Sequence, residues 1–217
     1  MTAAVAVLVP MLGRPQTVDP LRESLAASTD QAHLVWIVTD TDTAVRDAVA
    51  GDTVVVVPQH TRGDYAKKMN AGYRATTEPW LFLGACDIRF HPGWWEACMA
   101  KAKAGYKVIG TNDLGNPGTA TGRLSTHTLI QRTYVDRHGT IDRPGQLLHE
   151  GYWHEWVDNE FVGTAKARGV YGHARQAHVE HLHWLWGKRD RDEVDADYEQ
   201  RMADGERLYL KRRRLWT

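Results

Sequence analysis

The sequence has only two cysteines, Cys86 and Cys98, too few for the disulfide framework that holds small secreted domains together. A reduced, cytoplasmic setting is the expectation. Long hydrophobic runs are also missing: the apolar stretches at 5–9 and 54–57 are strand-sized, well short of the roughly 20 residues of a membrane-crossing helix. No transmembrane segment is expected, and the start lacks the basic region and long apolar run of a secretory signal. Net charge is absent, with Lys plus Arg and Asp plus Glu both at 27, so no overall basic field points to nucleic acid. Neither GxGxxG nor GxxxxGK[ST] occurs, which argues against a dinucleotide oxidoreductase and a P-loop nucleotidase. Repeats and low-complexity linkers are lacking too.

What is there is a strand-to-helix rhythm. Residues 5–9, Val-Ala-Val-Leu-Val, run on without polar alternation, as a parallel strand covered on both faces does. Further strands are expected at 34–38, 54–57, 80–83, 107–110, 128–132 and 170–179, with helices at 17–27, 44–49, 64–75, 94–104, 153–166 and 192–214. The Gly-, Asn- and Thr-rich stretch 111–121 reads as an irregular loop at an active site. The pattern predicts one α/β domain with a mostly parallel central sheet over residues 1–187, and a charged helical extension at 188–217 packed on it. Nine tryptophans suit a large core, and some suit a sugar site, because an indole packs against the apolar face of a sugar ring.

Asp40 and Asp87 each follow a strongly apolar strand, and open α/β sheets place ligands at that rim. Asp40 suits a base or ribose, and Asp87 a divalent ion carrying a diphosphate, since Mg2+ and Mn2+ prefer oxygen ligands. The competing reading is that each aspartate caps a helix or a turn. His149, His178, His181 and His183 are further candidate ligands, and in extended chain His181 and His183 face one side. Asp158 and Glu160 offer one carboxylate to take a proton from an acceptor hydroxyl and a second to orient the acceptor or a basic side chain. Arg62, Lys67 and Lys68, at the start of a helix, suit phosphate or a solvated basic face.

Several short motifs, in order, resemble a family 2 glycosyltransferase of GT-A fold, particularly short bacteriophage and actinobacterial members. They are Val7-Leu8-Val9-Pro10 with Gly13-Arg14-Pro15, then Asp40, then Gly84-Ala85-Cys86-Asp87 followed by His91-Pro92-Gly93-Trp94-Trp95. Gly110-Thr111-Asn112-Asp113, His149-Glu150-Gly151-Tyr152, Asp158-Asn159-Glu160-Phe161 and Val179-Glu180-His181-Leu182-His183 complete the series. The resemblance implies that Asp87 binds metal, with His181 as first choice and His183 as second for a late metal ligand. It implies that Asp40 meets the nucleoside, that Pro10 and Arg14 border the nucleotide pocket with Lys67 nearby, and that Asp158 is the base. Cys86 stands where related motifs often carry a second aspartate, and Val157 where an acidic residue often precedes the base.

The expected function is therefore inverting transfer of a sugar from a UDP- or GDP-sugar to a hydroxyl acceptor, with Mn2+ or Mg2+ assisting departure of the diphosphate. The alternatives are a nucleotidyltransferase and a non-catalytic sugar-nucleotide-binding protein. A nucleic-acid acceptor stays open, as does an anionic partner for the basic cluster Lys211-Arg212-Arg213-Arg214. If the chain is phage-encoded, its setting is the host cytoplasm.

Overall fold

Every side chain from Val5 to Val9 is fully buried, because the strand they form, β1 (Val5–Pro10), lies between two helical layers. A computed structural model describes residues 4–58 and 64–217, so Arg62 lies outside the described residues. After β1 the chain forms α1 (Val18–Ser28), β2 (Ala32–Thr39), α2 (Thr43–Ala48), β3 (Thr53–Val57), α3 (Tyr65–Ala75) and β4 (Trp80–Leu83). Then come β5 (Ile88–Phe90), α4 (Trp94–Lys103), β6 (Val108–Asn112), α5 (Pro117–Ala120), β7 (Thr128–Gln131) and α6 (Arg132–Arg137). The last elements are α7 (Val157–Ala167), β8 (Tyr171–His181) and α8 (Tyr198–Arg213).

The strands form one eight-stranded sheet in the order β3-β2-β1-β4-β7-β6-β8-β5. Strands β3, β2, β1 and β4 run parallel, as do β6 and β8, while β7 and β5 are antiparallel to their neighbours. This is the mostly parallel α/β sheet expected from the apolar runs. Alternation along β1 divides the core. Val5, Val7 and Val9 pack with Leu21 and Leu25 of α1 and Trp94 and Cys98 of α4. Ala6 and Leu8 pack with Met69 of α3, Val135 of α6 and Phe161 of α7. Four of the tryptophans, Trp36, Trp80, Trp94 and Trp95, are core residues, and two place their N–H, Trp36 on Asp52 at 2.9 Å and Trp94 on Ser28 at 3.0 Å.

The structure differs from the sequence expectation in four places. Strand β5 was not anticipated, since three residues carry no periodicity, and it exists by pairing with β8. Strand β8 runs on to His181 for the same reason. Helix α7 begins at Val157 rather than near 153, because Trp156 adopts the left-handed conformation (φ 71°) and breaks the helical path. The expected helix at 192–214 is interrupted: Asp192 and Asp195 form a reciprocal capping box around a short 3-10 turn, and α8 starts at Tyr198.

Helix α8 docks through a buried ion pair. Arg212 donates to both carboxylate oxygens of Glu160, at 2.7 and 2.8 Å, and to both of Asp142, at 3.0 and 2.9 Å. The basic cluster at 211–214 is therefore split, with Arg212 turned inward and Lys211, Arg213 and Arg214 exposed. No helix among the described residues is long and apolar enough to cross a membrane.

Candidate active site

The register of one strand pair assembles the centre of the site. Strand β4 delivers Asp87 to the rim of the sheet, and β5 starts at the next residue. Because Ile88 pairs with His181, the main chains of Asp87 and Leu182 meet, with Leu182 N donating to Asp87 O at 2.8 Å. His181 Nε2 then lies 3.3 Å from Asp87 Oδ1. His183, in extended conformation just beyond β8, brings its ring centroid to 4.9 Å from that of His181. The pairing of the two late histidines read from their spacing is thus realised beside Asp87.

Asp87 is 7% exposed, and a carboxylate so placed requires positive charge. The Nη1 of Arg14 and the Nε of Arg189 each lie 3.4 Å from its Oδ2. Burial alone would raise the Asp87 carboxyl, but His181, Arg14 and Arg189 outweigh it and hold the group well below the ordinary carboxylate range. Arg14 itself is left-handed (φ 59°) and is clamped by Asp192, with its Nε and Nη2 both 2.7 Å from that carboxylate. Asp195 takes Arg189 Nη1 at 2.6 Å and Arg14 Nη2 at 3.1 Å. Residues 189–195 therefore form a charged strap at the first cavity, to whose lining Arg189, Val194 and Asp195 contribute.

Two neighbours complete this centre. His127, immediately before β7, sets its Nδ1 3.3 Å from Leu83 O at the end of β4, and its buried Nε2 has no hydrogen-bond partner. Burial, with His181 nearby, pushes His127 down to about 3, so its imidazole is neutral. Burial and the adjacent Asp87 push the Cys86 thiol up to about 12, which keeps it protonated near neutral pH.

Two cavities meet here. The first, about 180 Å³, is lined by Pro10, Arg14, Lys68, Asp87, Arg189 and Asp195 among others. The second, about 650 Å³, opens toward α7 and α8. Both are bordered by Thr126, Glu155, Asp158, His181 and His183. Asp158 stands in the first turn of α7, and desolvation together with the Glu155 carboxylate pushes it up to about 7. A carboxylate that titrates near neutrality at the junction of two cavities is suited to take a proton from a group bound in one while bonding changes occur in the other.

Of the residues singled out in the sequence, Pro10, Arg14, Asp87, Asp158, His181 and His183 come together at these cavities. Glu160 does not: it is 3% exposed, accepts from Tyr152 Oη at 2.7 Å and holds Arg212, so it fastens α8 to α7. One residue of helical register turns Lys67 away and Lys68 in, where Lys68 Nζ donates to Met11 O at 2.6 Å and lies 3.3 Å from Asp64. Asp40 is exposed just past β2 and does not line either cavity. His149 accepts from Gly151 N at 3.0 Å, and His178 lies beside His91 with ring centroids 6.4 Å apart. Sequence reasoning missed His127, Arg189 and Asp195. The only signal for His127 was its place before an apolar strand, and Arg189 and Asp195 are hidden in a charge-rich tail.

Residues 6–159 match the sequence profile described as Glycosyl transferase family 2. The chain belongs to that family. Membership places it among the glycosyl transferases. No curated protein matches the sequence significantly. Solved structures share its fold at low identity. Glucosyl-3-phosphoglycerate synthase from Mycobacterium tuberculosis, in complex with Mn2+, UDP and glucosyl-3-phosphoglycerate, is 14% identical at a TM-score of 0.61, over 96% of this chain and 80% of that one. The mannosyltransferase PcManGT from Pyrobaculum calidifontis, in complex with GDP-Man and Mn2+, is 12% identical at a TM-score of 0.61, over 98% of this chain and 75% of that one. These likenesses confirm the GT-A arrangement of the family 2 chain.

The residues at the centre fit a divalent ion. Asp87 and His181 offer an oxygen and a nitrogen on adjoining chain segments, and the unpartnered Nε2 of neutral His127 is a further lone pair nearby. Among the described residues no three His, Cys, Asp or Glu side chains form a preformed metal shell. A divalent ion held there would need ligands beyond these side chains, as at Mg2+ sites completed by substrate phosphates.

Proposed function

We propose that this protein is a metal-assisted, inverting glycosyltransferase that moves a sugar from a UDP- or GDP-sugar in the first cavity to an acceptor hydroxyl in the second. The observation that carries the reading is the place of Asp158 on the wall that both cavities share, where burial and the Glu155 carboxylate push it up to about 7. Mn2+ or Mg2+, held by Asp87 and His181 with His183 as the alternative imidazole, would neutralise charge on the departing diphosphate.

The chain's own groups account for the rest. Ionised Asp87 keeps Arg14 and Arg189 at the rim, where their guanidiniums are placed to meet diphosphate oxygens. Pro10 borders the nucleotide. Asp158 accepts the acceptor's proton as its oxygen bonds to the anomeric carbon. The bond from that carbon to the diphosphate breaks on the opposite side, its electron pair leaving with the nucleoside diphosphate, so the anomeric configuration inverts.

The test is a donor panel of UDP- and GDP-sugars with Mn2+ or Mg2+ and a cell-extract acceptor pool, read by mass spectrometry. The expected result is one donor consumed, nucleoside diphosphate released and a product heavier by one glycosyl unit, with loss of transfer in folded Asp158→Asn. Pyrophosphate formed from a nucleoside triphosphate would instead identify a nucleotidyltransferase, and nucleotide binding without turnover over the whole panel a binding protein. Retention of the donor's anomeric configuration in the product would overturn inversion.

A further inference from the structure

The second cavity differs in construction from the first. Its volume, about 650 Å³, lies in the range of roughly 300–1,000 Å³ typical of small-molecule pockets. Trp156, Trp186, Tyr198 and Tyr209 are among its lining side chains. Trp186 is seated on Gly115, where an added Cβ would come within 2.6 Å of the indole, and Trp156 on Gly205, where the distance would be 2.9 Å. A side chain at Gly115 would displace the Trp186 ring, and one at Gly205 would meet Glu155 O at 2.5 Å as well as the Trp156 ring. Trp156 reaches its place from a left-handed backbone, a strained conformation for a bulky residue, and its buried indole N–H has no hydrogen-bond partner. Strain of that kind concentrates where a side chain must be aimed at a ligand.

The two ends of the cavity carry opposite charge. At the inner end stand Asp158 and Glu155, shared with the first cavity. At the outer end Lys166 of α7 donates from its Nζ to Gly122 O at 2.9 Å and Arg123 O at 2.7 Å, tying the turn that bears Arg123 to the cavity wall. Neither Arg123 nor Lys166 has a carboxylate within ion-pair distance among the described residues, and both are exposed. An anionic group would be repelled at the inner end and held at the outer one.

We propose that the acceptor is a saccharide bearing an anionic group, stacked on Trp156 and Trp186, with its reacting hydroxyl at Asp158 and its anionic group at Arg123 and Lys166. This rests on the transfer reading above and narrows it to one acceptor class. A sugar ring presents an apolar C–H face to an indole and hydroxyls at its edge, so the aromatic lining selects a ring over an open-chain alcohol. The polarity of the cavity fixes which end enters first.

The test uses the full chain on a glycan array of neutral, uronate-bearing and phosphate-bearing saccharides, with glycerol 3-phosphate as an anion that has no ring. Binding is expected for anionic saccharides, at least tenfold above their neutral counterparts and above glycerol 3-phosphate. Trp186→Ala should weaken the best-bound saccharide at least tenfold, whereas Arg123→Ala should erase only the preference for the anionic form. UDP and GDP affinity, measured alongside with Mn2+, should stay unchanged in both folded variants. Equal binding of neutral and anionic saccharides, binding indifferent to Trp186→Ala, or no saccharide bound would each overturn the proposal. Absence of UDP and GDP binding, with saccharide binding intact, would instead refute the donor reading.

Discussion

Replacing Asp158 by asparagine separates what the carboxylate does from what it costs the fold. The unfolded chain releases this proton near 3.8, whereas the folded protein holds it to about 7, because of desolvation in the cavity wall and the Glu155 carboxylate. A rise of about three pH units, at about 1.4 kcal/mol each, sets a ceiling of about 4 kcal/mol. Partial exposure to the cavity and solvent screening reduce this to about 2 kcal/mol. Between 3.8 and 7 the folded state binds the proton that the unfolded state has lost, so stability falls as pH rises through that window and stays low above it. Asparagine keeps the shape and carries no such charge. Urea denaturation should therefore find Asp158→Asn more stable than the parent by about 2 kcal/mol at pH 8 and equal to it at pH 4. Transfer should fall about 100-fold or more, with donor affinity unchanged. A variant no more stable at pH 8, or equally stabilised at both pH values, would refute the account of the shift. Undiminished turnover would refute the base assignment.

Other perturbations read neighbouring parts of the site. Parent kcat/KM should rise with pH to a plateau with a midpoint near 7, and Glu155→Gln should move that midpoint down by removing a like charge beside Asp158. Asp87→Asn should abolish the Mn2+-dependent part of UDP or GDP binding in titration calorimetry, while circular dichroism reports a folded chain. Arg189→Ala should weaken nucleotide binding about tenfold, which is about 1.4 kcal/mol. Arg212→Met should cost about 3–5 kcal/mol in thermal or urea unfolding, because it leaves Glu160 buried without its partner.

The parts of the fold legible in the sequence are those whose burial is recorded as a run or a period. Residues 5–9 and 80–83 read as strands because both their faces are covered, and each turned out fully or almost fully buried. Asp87 was legible from the strand before it. By contrast, β5 and the end of β8 are stabilised by each other across about 90 residues of sequence, and no local pattern encodes that contact. In the sequence Asp158 and Glu160 form one acidic feature, with Asp158 preferred as base and a shared helical face not expected. Helical geometry sends them to different faces, one to Arg212 and one to the cavities. The choice between Lys67 and Lys68 turned on one residue of helical register in the same way.

The hardest part of the site to read was the strap at residues 189–195, and its physics links the stages of the proposed reaction. A buried carboxylate at Asp87 is tolerable only with cations around it, and Arg14 and Arg189 supply them here. A divalent ion arriving with a diphosphate brings both charges at once. With such an ion bound, Asp87 would no longer depend on the guanidiniums for its countercharge, and Arg14 and Arg189 would be free to hold phosphate oxygens, including through the Arg189 Nε that lacks a hydrogen bond. Asp192 and Asp195 hold the same two arginines from the other side, so the cations remain at the rim while their inner partner changes. On this argument the strap conserves charge balance between the free and donor-bound protein. Asp195→Asn, which weakens the hold on both arginines, should therefore raise the KM for donor while leaving the midpoint of the pH profile, set by Asp158, in place. A shift of that midpoint with donor KM unchanged would show that the strap acts on the base instead.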